Sequence, residues 1–220
     1  RLRTTTIGPD ARPTLESGLW GTRVAAAAAT TAKDRDAVEA PFKQGIEAMR
    51  RGLGDADPLT LFAMRCYAEW LDEQHRRDDA VKVYEEALAL AKGKLDPFSD
   101  TVILLTAGLA YTRIEEGQFE RAIELLMPMR DAMARMKDAS PRLQLVVLRH
   151  LATARSRLAG VRPTPELVQA AEAAHREAID LASRTLGDEH PLSFKARNNL
   201  ANMLFDVGHK DDAGRLFEQG

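Results

Sequence analysis

With 31 lysines and arginines interspersed among 33 aspartates and glutamates over 220 residues, the net charge is only −2, so the chain lacks the basic face a general nucleic-acid binder needs. Its only cysteine, Cys66, excludes an internal disulfide framework and is expected as a small buried apolar residue. Aromatics are 5% and runs of Val, Ile, Thr and Tyr are almost absent, which favours helices over strands. No apolar run approaches the about 20 residues of a membrane span, and no signal peptide is visible. No membrane partner is therefore expected, and the expected location is cytoplasmic. Because it starts at Arg1 and stops at Gly220 inside a helical pattern, the chain is expected to be a segment of a longer polypeptide.

Five prolines order the chain: Pro13, Pro58, Pro97, Pro141 and Pro191, spaced 45, 39, 44 and 50 residues apart. A period of this size fits one pair of helices per unit. The expected units are 13–57, 58–96, 97–140, 141–190 and 191–220, forming a single array over 1–220. Leu53-Gly54-Asp55-Ala56-Asp57-Pro58 matches Leu186-Gly187-Asp188-Glu189-His190-Pro191 without a gap, and Ile7 to Pro13 matches with one extra residue. Leu closes one helix on an apolar contact, Gly takes a left-handed C-cap, and the residue before Pro starts the next helix.

The first helix is expected over about Thr14 to Thr31, with Trp20 of uncertain burial. Lys43 to Met49 belongs to the second. Beyond Pro58, Ala63 to Leu71, Leu105 to Tyr111, Leu148 to Ala152 and Arg197 to Leu204 are amphipathic. Each has a large apolar residue before Ala68, Ala110, Ala152 or Ala201, and a small residue there lets a neighbouring helix come within about 8–10 Å. Tyr67, Trp70, Tyr84, Leu109, Leu151 and Leu200 are expected in the core. Gly117-to-Ala122 and Gly208-to-Ala213 mark internal turns, and His75 takes the glycine position in the matching turn before Ala80, as a residue tolerating a left-handed conformation. Val83 to Ala91 superimposes on Ala174 to Ala182, in second helices expected over Asp79 to Lys92 and Glu166 to Thr185, with a third over Phe119 to about Lys137. Pro128 is expected to kink or break that third one. Thr164 and Pro165 are expected as N-cap and first-turn residue of the helix after them.

This pattern resembles the tetratricopeptide repeat, in its longer kinesin-light-chain form. The residues carrying the resemblance are Leu186 to Pro191, Asn198-Asn199-Leu200-Ala201, Gly208 and Ala213. The resemblance implies an all-α right-handed superhelical solenoid of about five antiparallel helix pairs, with a concave face that grips an extended peptide. By position it points to Lys195, Asn198, Asn199 and Asn202, and upstream to Arg149 and Arg65. Lys195, Asn198 and Asn202 lie at helical spacings of three and four, so they are expected to share a face. Carboxamides donate to and accept from a peptide backbone at once, and three cations along one groove favour an acidic segment. Arg65 has an alternative partner in Glu69.

A search for chemistry finds no His-Glu-x-x-His, no phosphate loop and no Gly-x-Ser-x-Gly elbow among these residues. His75, His150, His175, His190 and His209 make no metal-ligand spacing. No enzyme, metal or cofactor is expected. The expected function is a non-catalytic protein- or peptide-binding scaffold or adaptor. The alternatives are a sensor region of a larger signalling protein, such as a kinase or transcriptional regulator, and a structural segment of a large assembly. The oligomeric state is left open by the sequence.

Overall fold

Six of the helices start where a side chain accepts from a first-turn N–H or a proline removes one, because those N–H groups have no intrahelical partner. The computed structural model describes residue 8, residues 10–29 and residues 31–218, and these form ten helices and no strand. In chain order they are α1 (Arg12–Ala28), α2 (Ala32–Leu53), α3 (Pro58–Glu73), α4 (Arg77–Ala91), α5 (Asp100–Glu115), α6 (Phe119–Arg135), α7 (Pro141–Val161), α8 (Pro165–Leu186), α9 (Pro191–Asp206) and α10 (Lys210–Glu218). Pro58, Pro141 and Pro191 open their helices as expected, because a proline there gives up only an N–H that had no partner. Ile7 and Pro9, in the first copy of the turn motif, lie outside the described residues.

The helix starts repeat in a way the sequence reading missed. Thr14 Oγ1, Thr60 Oγ1 and Ser193 Oγ each donate to the carbonyl of a glycine six residues earlier, Gly8, Gly54 and Gly187, at 3.2, 2.8 and 2.7 Å. In the latter two copies the N-cap side chain accepts from the backbone two residues on: Asp57 Oδ1 from Leu59 N, and His190 Nδ1 from Leu192 N. His190 thus stands in for an aspartate.

Three expectations change. Pro97 does not open a helix. Asp96 Oδ1 accepts from Phe98 N and its carbonyl from Ser99 N, so the chain turns once more and α5 begins at Asp100. Pro128 does not break α6, and Pro41 does not break α2. Both prolines are exposed, so the carbonyl left without a donor can turn to water. The glycines of the turn motif have φ values of 101° (Gly54) and 89° (Gly187), but ψ values near 159° and 158°. They are not in the left-handed helical region expected, but in an extended region essentially reserved for glycine. His75 does take a left-handed φ of 60°, and Thr164 does cap α8 by accepting from Leu167 N.

The chain divides into two units, Arg1–Gly108 and Leu109–Gly220. In the first, α1 packs on α2, α2 on α3 and α3 on α4. Leu61, Met64, Leu71, Met49 and Tyr84 are fully buried, and Phe42, Tyr67 and Trp70 cluster with ring centroids 5.6–6.0 Å apart. Outside them, Glu39 of α2 accepts from Tyr67 Oη at 2.8 Å and from Arg76 Nη1 at 2.6 Å. The Arg76 hydrogen bond, above all, holds the Glu39 carboxyl down to about 2. Cys66 is buried, and burial pushes its thiol up to about 11, leaving it protonated and inert. In the second unit α6 packs on α7, α7 on α8, α8 on α9 and α9 on α10. Ala159, Ala171, Leu200, Met203, Leu204 and Ala213 form a core there. The alanines at these contacts are what bring the helix backbones close.

Candidate functional site

In the second unit α8 presents Ala178 and Ala182 one turn apart, both buried. Two small residues make a low floor, and α7 and α9 rise on either side. The result is a groove of about 430 Å³. Leu145 and Val146 of α7 and Leu186 and Leu192 at the α8–α9 turn make its walls apolar. Leu186 was expected only to close its helix, yet it lines the groove and stays 40% exposed.

Every charged side chain lining the groove is a cation: Arg142 and Arg149 on α7, seven residues apart, and Lys195 on α9. Among the described residues no carboxylate pairs with any of the three. Arg149 Nη2 instead donates to Nε2 of His150 at 2.9 Å. Burial, with the Arg149 charge beside it, lowers the His150 pKa to about 4. The imidazole therefore stays neutral at pH 7 and the guanidinium charge is left uncompensated.

The predicted residues are only partly brought together. Arg149, Lys195 and Asn199 line this groove. Asn199 and Asn202 line a second cavity of about 600 Å³, with Thr153, Arg157 and Asp206. Asn198 is half-buried on α9 and lines neither cavity. It precedes Asn199 by one residue, about 100° round the helix, and the groove wall runs through Leu192, Lys195, Ala196 and Asn199. Lys195 and Asn199 line the groove, and Asn198, three residues from Lys195 on the same helix, does not. Arg65 belongs to the first unit, where it pairs with Glu69 and its guanidinium lies 5.0 Å from the Phe62 ring centroid. The sequence reading missed Arg142, whose only signal is its place directly after Pro141.

His175 borders both cavities and shares a hydrogen bond of 2.8 Å with Ser156 Oγ. Burial alone lowers its pKa to about 4. No carboxylate among the described residues is hydrogen-bonded to the ring, so the pair lacks the third group that orients a catalytic base. Among the described residues, no group of three or more His, Cys, Asp or Glu side chains could hold a metal ion. No helix there is long and apolar enough to cross a membrane.

The floor and turn of this groove are also where the sequence meets a known family. The model of the tetratricopeptide repeat matches residues 167–192, from the first turn of α8 to the start of α9. Solved structures extend the likeness across the chain. A protein of Podosopora anserina described as a kinesin light chain with nearly identical TPR-like repeats superimposes with a TM-score of 0.75 at 20% identity, covering 96% of this chain and 94% of its own. The fold is the tetratricopeptide-repeat fold. A variant of that protein gives 0.76 at 20% identity over 93% and 92%. BtubC (BKLC) from P. vanneervenii gives 0.61 at 18% identity over 93% and 89%. A search of curated proteins by sequence returns no match. In that fold α7 and α9 are the first helices of successive pairs.

Proposed function

We propose that the groove between α7 and α9 holds an extended protein or peptide segment that combines apolar side chains with carboxylates, and that the chain acts through it as a non-catalytic scaffold or adaptor. The observation carrying this reading is the charge pattern: apolar walls, three cations and no acidic lining residue. An apolar segment satisfies the walls, and carboxylates answer Arg142, Arg149 and Lys195. The Asn199 carboxamide donates and accepts at once, which suits a backbone passing over it. Arg65 is a weaker part of the proposal, since Glu69 already engages it.

Fluorescence anisotropy with a labelled peptide of alternating Leu and Glu tests the reading. Binding is expected to weaken as salt rises and to fall at least tenfold in Arg149→Glu/Lys195→Glu. Arg65→Glu is expected to have the smaller effect, and a Leu/Lys peptide is expected not to bind. Equal affinity in wild type and the double charge reversal contradicts the proposal.

A further inference from the structure

The two cavities of the second unit lie along the same faces of the same helices. On α7 the groove is lined by Arg142, Leu145, Arg149 and Ala152, and the second cavity by Ser156 and Gly160. These positions follow one another at spacings of three or four residues, so they form one stripe along the helix. On α9, Leu192, Lys195 and Asn199 line the groove, and Asn199, Asn202 and Asp206 line the second cavity, again at spacings of three or four. His175 of α8 borders both cavities, and its ring is only 5% exposed. Its Nε2 is engaged by Ser156 Oγ, while Nδ1 has no hydrogen-bond partner among the described residues. A buried nitrogen left unpaired is costly, and this one belongs to a residue that the cavities share.

The charge changes along this trough. The groove is lined by three cations and no carboxylate, whereas the second cavity is lined by one cation, Arg157 of α7, and one carboxylate, Asp206 of α9. Neither of these two has an ion-pair partner among the described residues. They stand on opposite walls. Successive side chains of an extended segment point to opposite sides, so a residue that faces Arg157 leaves its neighbour facing Asp206. The carboxamides of Asn199 and Asn202 add hydrogen-bonding groups that serve a backbone passing over them.

We infer that the segment held in the groove continues past His175 into the second cavity, where it carries a basic side chain for Asp206 next to an acidic one for Arg157. The inference rests on the proposed reading of the groove and adds to it the length and the charge order of the partner. Its carboxylates stand without basic neighbours in the groove, and the basic residue lies at the other end. Arg142 and Gly160 are 18 residues apart, about 27 Å of helix. An extended segment covers that distance in about eight residues. The Nδ1 of His175 meets its backbone where it crosses from one cavity to the other.

Calorimetric titration with a short peptide, Leu-Glu-Leu-Glu-Leu, and with the same peptide extended by Val-Glu-Lys or by Val-Glu-Glu, decides the matter. Each extension is placed at either end, so that both chain directions are covered. Wild type is expected to bind the short peptide and to bind the Lys-bearing extension, in one direction, about tenfold tighter. The Glu-bearing extension is expected to gain less. In Asp206→Lys the order of the two extensions is expected to reverse. A lysine at the end of α9 suits the helix dipole, and nothing lies within 4 Å of a Cβ added to Gly160. Unchanged helical circular dichroism is therefore expected of Asp206→Lys and of Gly160→Trp. The indole of Gly160→Trp is expected to take up the second cavity, removing the gain from extension while the short peptide still binds. A short peptide that binds without any gain from extension, or a gain that survives in both variants, overturns the continuation and leaves the reading of the groove standing. A short peptide that does not bind overturns both.

Discussion

Gly187 combines φ 89° with ψ 158°, and Gly54 combines φ 101° with ψ 159°. A Cβ is strained at such angles whatever space surrounds it. Gly187→Ala is therefore expected to lower the unfolding free energy by about 1–3 kcal/mol, measured by urea denaturation. Nothing lies within 4 Å of a Cβ at Gly187, so the loss comes from the backbone and not from a clash. His175 is the other residue with a measurable signature. Its pKa in the folded chain is about 4 against an ordinary 6.5, so as pH falls the unfolded chain takes up the proton first. The stability carried by the neutral ring is complete above about pH 6.5 and is lost down to about pH 4, at about 1.4 kcal/mol per pH unit. His150, lowered to about 4 as well, adds a slope of the same sign. His175→Leu, matching Leu126 at that position, is expected to roughly halve the slope of stability against pH between 6.5 and 4. An unchanged slope would place the protonation elsewhere. The sequence identified His175 only as a residue in register with Tyr84. Its buried hydrogen bond to Ser156 comes from α7 meeting α8, which no local pattern encodes.

Elements were legible where their ends carry side-chain chemistry. Pro58, Pro141 and Pro191 open α3, α7 and α9, and Thr164 caps α8. The first pair was harder, because α1 ends in a run of alanine that fits any small-residue contact. The start of α2 was nevertheless written in the chain: Thr31 Oγ1 accepts from Asp34 N at 3.2 Å, and Asp34 Oδ2 accepts from Thr31 N at 3.1 Å, a reciprocal cap. Pro97 misled because a local turn around Asp96 competes with helix entry. Pro128 misled because propensity does not register which side of a helix faces water. Since α6 already runs through it, Pro128→Ala would restore a donor to the Glu124 carbonyl without moving the chain. A stabilisation of about 1–2 kcal/mol is expected. That is less than the interior proline penalty of about 3, because the unfolded chain also gains freedom. Calorimetric melting reads it, and a lower melting temperature would mean that α6 is shaped by the proline.

At the scale of the molecule the fold was legible and the lining of the candidate groove was so only in part. Repeated turns and small residues specify helix pairs whatever they bind, which is why structures only 20% identical superimpose closely. The groove depends on one residue of rotation about α9. Of the asparagine run on α9, Asn199 lines the groove and Asn198 does not. Arg142, unremarkable in sequence, completes a rim with Arg149 and Lys195 only because α7 and α9 stand on either side of two alanines. Residue-resolved NMR of the chain titrated with the acidic, leucine-bearing peptide tests this most directly. Shifts concentrated at Arg149, Ala178, Ala182, Lys195 and Asn199 are the expected result. A tightly bound peptide that leaves these residues unperturbed would contradict it.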